Sequence, residues 1–67
     1  MKEFGEHLRE IRLKKGLSQE ELANIANIPI QQVGRIERSE VNTTLITIKA
    51  ISDALEIDIK ELFNFKK

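Results

Sequence analysis

The sequence contains no cysteine, no tryptophan and no tyrosine, and it has a single proline and only three phenylalanines. The lack of cysteine excludes disulfide bonds, thiol chemistry and most structural zinc sites. No apolar run approaches the roughly 18 residues of a membrane span, and residues 1–10 lack the hydrophobic run of a signal peptide. We therefore expect a soluble cytoplasmic protein without a metal or another cofactor.

Length and charge narrow the class further. A chain of 67 residues with 40% hydrophobic content, mostly Leu and Ile, predicts one small helical domain spanning residues 1–67. The formal net charge is zero, whereas nucleic-acid-binding domains usually carry a basic surplus. Any basic face must therefore be local, and it would be built from Lys14, Lys15, Arg35 and Arg38.

The stretch from Ser18 to Arg38 predicts two short helices joined by a tight corner. Ser18 can cap a helix start, with Glu21 as the partner three residues later in a capping box. Asn27 tolerates the left-handed conformation that ends a helix, and Pro29 suits the first turn of a second one. In that second helix the spacing turns Val33 and Ile36 inward. The residues expected to face outward are Ile30, Gln31, Gly34, Arg35 and Arg38.

Helices are also predicted on both sides of this stretch. The first spans about residues 2–15 and ends at Gly16. Thr43 or Thr44 can cap a fourth helix that ends at Glu56, and Asp58 with Glu61 indicates a short fifth helix. The residues expected to be buried by these helices are Phe4, Leu8, Ile11, Leu45, Ile48, Ile51, Leu55, Leu62 and Phe63.

The pattern of the chain resembles the Cro and phage-repressor family of bacterial DNA-binding proteins. The residues that carry the resemblance are Gln19, Leu22, Ala23, Ile28, Val33, Ile36 and Glu37, with matching segments before and after them. The resemblance implies an all-α, five-helix, lambda-repressor-like domain, in which helices 2 and 3 form a helix-turn-helix. In that arrangement helix 3 enters the major groove of DNA.

By the same resemblance, four residues are expected to read bases: Ile30, Gln31, Gly34 and Arg35. Gln31 can hold an adenine through two hydrogen bonds, Arg35 can hold a guanine, and Ile30 can pack on a thymine methyl group. Two alternatives stay open at this stage. Gln31 and Gln32 could be ordinary exposed residues, and Gly34 could mark a tolerant surface position.

Phosphate contacts are expected on both sides of the base-reading residues. The family's phosphate-contacting glutamine corresponds to Gln19, and the other candidates are Gln32, Arg38, Asn42, Thr43 and Thr44. The sequence departs from the family at Asn27, which replaces a glycine, and at Pro29, which leaves helix 3 without a side-chain cap. Ser39 and Glu40 stand where glycine and a basic residue are common, and Glu40 would repel a nearby phosphate.

Two further contacts follow from the resemblance and from residue placement. The family pairs the arginine corresponding to Arg12 with the glutamate corresponding to Glu37, although Arg12 alone would read as a surface residue. Members of the family bind as dimers across a two-fold axis. Ile59 and Phe65 are apolar but lie off the core stripes, and together with Phe63 near the carboxyl end they suggest a dimer patch, with scattered exposed apolar residues as the alternative.

These observations favour a sequence-specific transcription regulator that binds double-stranded DNA as a homodimer. The alternatives are an antitoxin that also binds a protein toxin, and a protein–protein adaptor that has lost DNA binding. An enzyme is not expected, because the single histidine, His7, has no nucleophile or carboxylate at a useful spacing. Asp53, Glu56 and Asp58 form an acidic cluster that we interpret as a solvated surface and not as a metal site.

Overall fold

The computed structural model describes residues 2–40 and 43–64, which form helices and no strand. The elements follow each other in the order α1 (Lys2–Lys14), α2 (Gln19–Ala26), α3 (Ile30–Glu37), α4 (Leu45–Leu55) and a 3-10 helix (Ile59–Phe63). Within these ranges no helix is both long enough and apolar enough to cross a bilayer. The prediction of an all-α protein is confirmed.

The predicted fifth helix is the one element whose type differs. The segment after α4 is a five-residue 3-10 helix, so the described residues hold four α-helices and not five. Asp58 caps it by accepting a hydrogen bond from the backbone N–H of Lys60 at 3.2 Å, and not through the expected capping box with Glu61. Five residues are too few to establish a run of α-helical hydrogen bonds, whereas 3-10 turns are common in pieces of this length.

Each of the four α-helices in the described residues is followed, within two residues, by a residue in the left-handed conformation, with φ between 60° and 74°. In each case the N–H of that residue and the N–H of the next residue bond back into the last turn; after α4, for example, the Glu56 N–H bonds to the Asp53 carbonyl at 3.1 Å and the Ile57 N–H to the Ser52 carbonyl at 3.0 Å. This is the Schellman arrangement, which usually requires glycine. Here the four residues are Gly16, Asn27, Ser39 and Glu56.

The core is a single cluster of aliphatic side chains with one aromatic ring. Leu45 was expected in it but is 72% exposed, because it is the first residue of α4 and the buried face begins one turn later, at Ile48. Phe63 was also expected to be buried; it is 44% exposed and stacks on Phe4 at 5.1 Å between ring centroids. The buried hydrophobic residues are Phe4, Leu8, Leu22, Ala23, Ala26, Val33, Ile36, Ile48, Ile51, Leu55 and Leu62.

The first helix lies directly on the end of the third. A Cβ atom added to Gly5 would lie 2.6 Å from the carbonyl oxygens of both Ile36 and Glu37. The backbones of α1 and α3 are therefore in contact, and the last turn of α3 is held at a fixed distance from α1. The sequence alone predicts no role for Gly5.

Candidate nucleic-acid interface

Helix α3 has one face in the core and one in solvent. Val33 and Ile36 are buried, as predicted, whereas Gln31 and Arg35 are exposed. Ile30 is also 41% exposed. The helix is therefore anchored through one side and presents polar side chains on the other, as a groove-reading helix requires.

The corner before α3 is fixed by the features that the sequence indicated. The Ser18 hydroxyl accepts from the Glu21 N–H at 3.0 Å, and the Glu21 carboxylate accepts from the Ser18 N–H at 2.7 Å, which completes the capping box. Asn27 adopts the left-handed conformation with φ of 62°. Pro29 precedes α3 and provides no side-chain cap, as expected.

The four candidate base-reading residues lie together. They line a shallow groove of about 350 Å³ on the outer side of α3, together with Gln19 of α2 and Arg38. Gly34 was expected to face outward but is buried, because the side chains of Arg38 and Gln19 cover it: Arg38 Nη1 lies 3.0 Å, and Gln19 Oε1 3.7 Å, from the position of a Cβ on Gly34. The groove lining is Gln19, Ile30, Gln31, Gly34, Arg35 and Arg38.

An ion pair beneath the groove ties three helices together. Arg12 Nε donates to Glu37 Oε2 at 2.7 Å and Arg12 Nη2 donates to Oε1 at 3.2 Å, so the pair expected between α1 and α3 is present. Gln19 Nε2 also donates to Glu37 Oε1, at 3.0 Å. Arg12 Nη1 donates to the Leu17 carbonyl at 2.8 Å. The side-chain amide of Gln19, a candidate phosphate ligand, is thus held in position by its hydrogen bond to Glu37.

A second ion pair lies at the rim of the groove and was not anticipated as a contact. Arg38 Nε donates to Glu40 Oε2 at 2.9 Å, and Arg38 Nη2 donates to Oε1 at 3.3 Å. Both side chains are more than half exposed. The hydrogen bond to Glu40 raises the pKa of Arg38, and the reciprocal hydrogen bond from Arg38 lowers the pKa of Glu40.

The other candidate phosphate ligands differ in their burial and in their hydrogen bonds. Gln32 is half-buried and Thr44 caps α4, accepting from the Thr47 N–H at 3.2 Å. The Thr43 hydroxyl is closed to solvent and has no hydrogen-bond partner among the described residues, so a phosphate contact there would require its side chain to turn. Asn42 lies outside the described residues.

The candidate dimer residues lie around the 3-10 helix. Ile59 is half-buried and packs against the core, whereas Phe63 keeps 44% of its surface in solvent. Phe65 falls outside the described residues. His7 lies on α1 beside the same element, and its Nε2 donates to the Glu61 carbonyl at 2.7 Å. That contact gives His7 a structural role.

Comparisons with known proteins place the chain in a family. Residues 8–62 match the family described as "Helix-turn-helix". The chain is 40% identical over 63 residues to "Control protein C.BamHI" from Bacillus amyloliquefaciens, covering 92% of this chain and 78% of that protein. It is 44% identical to the restriction-modification controller protein C.AhdI from Aeromonas hydrophila, with a TM-score of 0.91 over 92% of this chain and 94% of that one. A structure of C.Esp1396I bound to a 25 base pair operator site is 31% identical, with a TM-score of 0.83 over 92% and 82% of the two chains. This chain belongs to the helix-turn-helix family.

Proposed function

We propose that this protein is a sequence-specific DNA-binding transcription regulator of the restriction–modification controller type, which places α3 in the major groove. The observation that carries the proposal is the groove on the outer side of α3, where the exposed Gln31 and Arg35 lie beside Gln19 and Arg38. The similarity to C.Esp1396I, which was solved with operator DNA, supports DNA binding by this chain.

Three side chains of α3 supply the base contacts in this proposal. Gln31 would hold an adenine, because its amide donates and accepts side by side. Arg35 lies one turn later and would hold a guanine through its planar fork. The exposed side chain of Ile30 would pack on a thymine methyl group. Gly34 has no side chain and would therefore leave the groove deeper between these three residues.

Phosphate contacts would fix the register of α3 without reading sequence. Gln19 is well suited to this role because its amide is already held by Glu37 at 3.0 Å, so little side-chain freedom is lost on binding. The remaining candidates for phosphate contact in this proposal are Gln32, Arg38, Asn42, Thr43 and Thr44.

The size of the domain supports binding as a dimer. Its longest extent is 30 Å, whereas two half-sites in successive major grooves lie about 34 Å apart. One copy therefore reaches one half-site, and a two-fold dimer would read an inverted repeat. The exposed ring of Phe63, with Ile59 and Phe65, is the proposed contact between the copies.

Selection of bound duplexes from a random pool tests the proposal. We expect an inverted repeat with adenine and guanine in each half-site. On that duplex Arg35→Ala should lose roughly 1–3 kcal/mol of binding free energy and relax the preference at one base pair. Arg9→Ala removes an exposed arginine of α1 outside the groove and serves as the matched control. If no consensus emerges and no duplex binds at low salt, the protein is instead an adaptor without DNA binding.

A further inference from the structure

Arg38 lies at the rim of the groove. One edge of its guanidinium is hydrogen-bonded to Glu40, and another edge is not. Its Nε and Nη2 atoms both donate to the carboxylate of Glu40, at 2.9 and 3.3 Å. Its Nη1 atom instead extends over Gly34, on the floor of the groove. An arginine offers donors on more than one edge of its plane, so the edge that includes Nη1 remains available to DNA.

The backbone fixes the position of Glu40. Ser39 adopts φ of 61°, and its N–H bonds to the Ile36 carbonyl at 3.0 Å. The Glu40 N–H bonds to the Arg35 carbonyl at 2.8 Å. These two bonds turn the chain back at the end of α3, so that the carboxylate faces the guanidinium two residues earlier. An isolated exposed ion pair is weak, but this one joins side chains that the Schellman turn already brings together.

The charge of Glu40 is balanced mainly by Arg38. The pKa of Glu40 is lowered first by its hydrogen bond from Arg38, then by the positive charge of Arg38 and, to a smaller degree, by that of Arg35. A phosphate approaching this rim meets a pair whose charges cancel, and not an isolated cation.

We propose that Glu40 is a specificity-determining residue. It binds one edge of the Arg38 guanidinium, weakens the attraction of that guanidinium for phosphates, and orients the other edge of Arg38 toward a base. The inference rests on the proposed function of the groove and assigns to Arg38 a base contact in place of a backbone contact. Glu40 acts through Arg38 and does not itself touch DNA. Sequence-independent binding is mainly a matter of phosphate neutralisation, so withholding one cation weakens it more than it weakens specific binding.

The test compares affinities for the selected consensus duplex and for a scrambled duplex of the same composition, across a series of salt concentrations. The variants are Glu40→Gln, Arg38→Ala and the double variant. Glu10→Gln removes the same charge from an exposed position on α1 and is the control. Thermal melts establish that each variant is folded.

We expect Glu40→Gln to bind scrambled DNA more tightly and to steepen the salt dependence by about 0.9 in log–log slope, as one added phosphate contact would. The ratio of consensus to scrambled affinity should fall by about fivefold or more, the lower end of what one bidentate base contact contributes. In the Arg38→Ala background the same substitution should leave the ratio unchanged.

Two results would overturn the inference while leaving the proposed function intact. The first is an unchanged ratio in Glu40→Gln; if both affinities rise equally, the effect is simple charge removal. The second is a fall in the ratio that persists without Arg38. If the wild-type protein does not distinguish the two duplexes at all, both the inference and the proposed function are wrong.

Discussion

Arg12 of α1 and Glu37 of α3 are 25 residues apart in sequence, yet they form a bidentate ion pair with side-chain exposures of only 7% and 3%. The shorter of the two contacts is 2.7 Å. Gln19 of α2 joins the same carboxylate, so one acidic group receives donors from both neighbouring helices. The pair lies at the end of α3. It holds this helix in place on the side opposite the groove.

Removal of one partner should therefore unfold much of the protein. Arg12→Ala leaves Glu37 buried without its cation, and such a change costs about 3–5 kcal/mol. A domain of this length has only about 3–10 kcal/mol of total stability. Lys49→Ala breaks the exposed ion pair with Asp53 in α4 and should cost no more than about 0.5 kcal/mol. Urea unfolding followed by circular dichroism measures both.

A double variant separates burial of a charge from loss of packing. Arg12→Met combined with Glu37→Leu removes both charges and keeps apolar volume at the site, so it should be less destabilising than Arg12→Ala alone. A double variant as unstable as the single one would show that the hydrogen bonds to Leu17 and Gln19 matter more than the charge pair.

Two glycines should respond to alanine in opposite directions. Gly5→Ala places a methyl group 2.6 Å from two backbone carbonyl oxygens, which cannot move aside without separating α1 from α3. We expect a loss of about 1–3 kcal/mol, typical of overpacking. Gly34→Ala comes close only to the flexible end of Arg38, with Gln19 Oε1 at an ordinary van der Waals distance of 3.7 Å, and gains up to about 1 kcal/mol from helix propensity. Urea midpoints that shift in the same direction would contradict this assignment.

Local features of the fold were predictable because they depend on neighbours in sequence. The capping box at Ser18, the left-handed Asn27 and the missing cap at Pro29 each involve residues within a few positions of one another. The inward direction of Val33 and Ile36 follows from helical spacing alone. The sequence therefore predicted the orientation of α3, and with it most of the groove.

Features that depend on contacts between residues distant in sequence, or on an unusual side-chain or backbone conformation, were not predictable. The contact of Gly5 with α3 joins segments about thirty residues apart, and nothing near Gly5 marks it. The burial of Gly34 arises because a long side chain folds back over it, which helical spacing does not describe. Ser39 and Glu56 adopt a glycine-like conformation without being glycine, so the usual signal for such a helix end is missing.

The left-handed Glu56 offers a route to a more stable protein. Its φ is 60°, where any side chain with a Cβ is disfavoured. Glu56→Gly should raise the free energy of unfolding by about 1 kcal/mol. The same change at Glu10, in the middle of α1, should lower it by roughly the same amount, because glycine weakens a helix interior. A destabilised Glu56→Gly would indicate that the side chain, and not the backbone, holds this helix end.

The proposed dimer contact gives a final prediction. Phe63 is 44% exposed on the 3-10 helix and stacks on the buried Phe4. A lysine there would place a charge inside an apolar interface and would also remove the ring contact with Phe4, so a thermal melt must show that the variant is folded. We expect Phe63→Lys to weaken self-association at least about tenfold in sedimentation equilibrium, which corresponds to about 1.4 kcal/mol. Ile46→Lys is the control: Ile46 is 83% exposed on α4, and the same substitution there should leave the association constant unchanged. If Ile46→Lys dissociates the dimer and Phe63→Lys does not, the copies meet through the start of α4, and the half-site spacing of the selected DNA would have to be explained from that face.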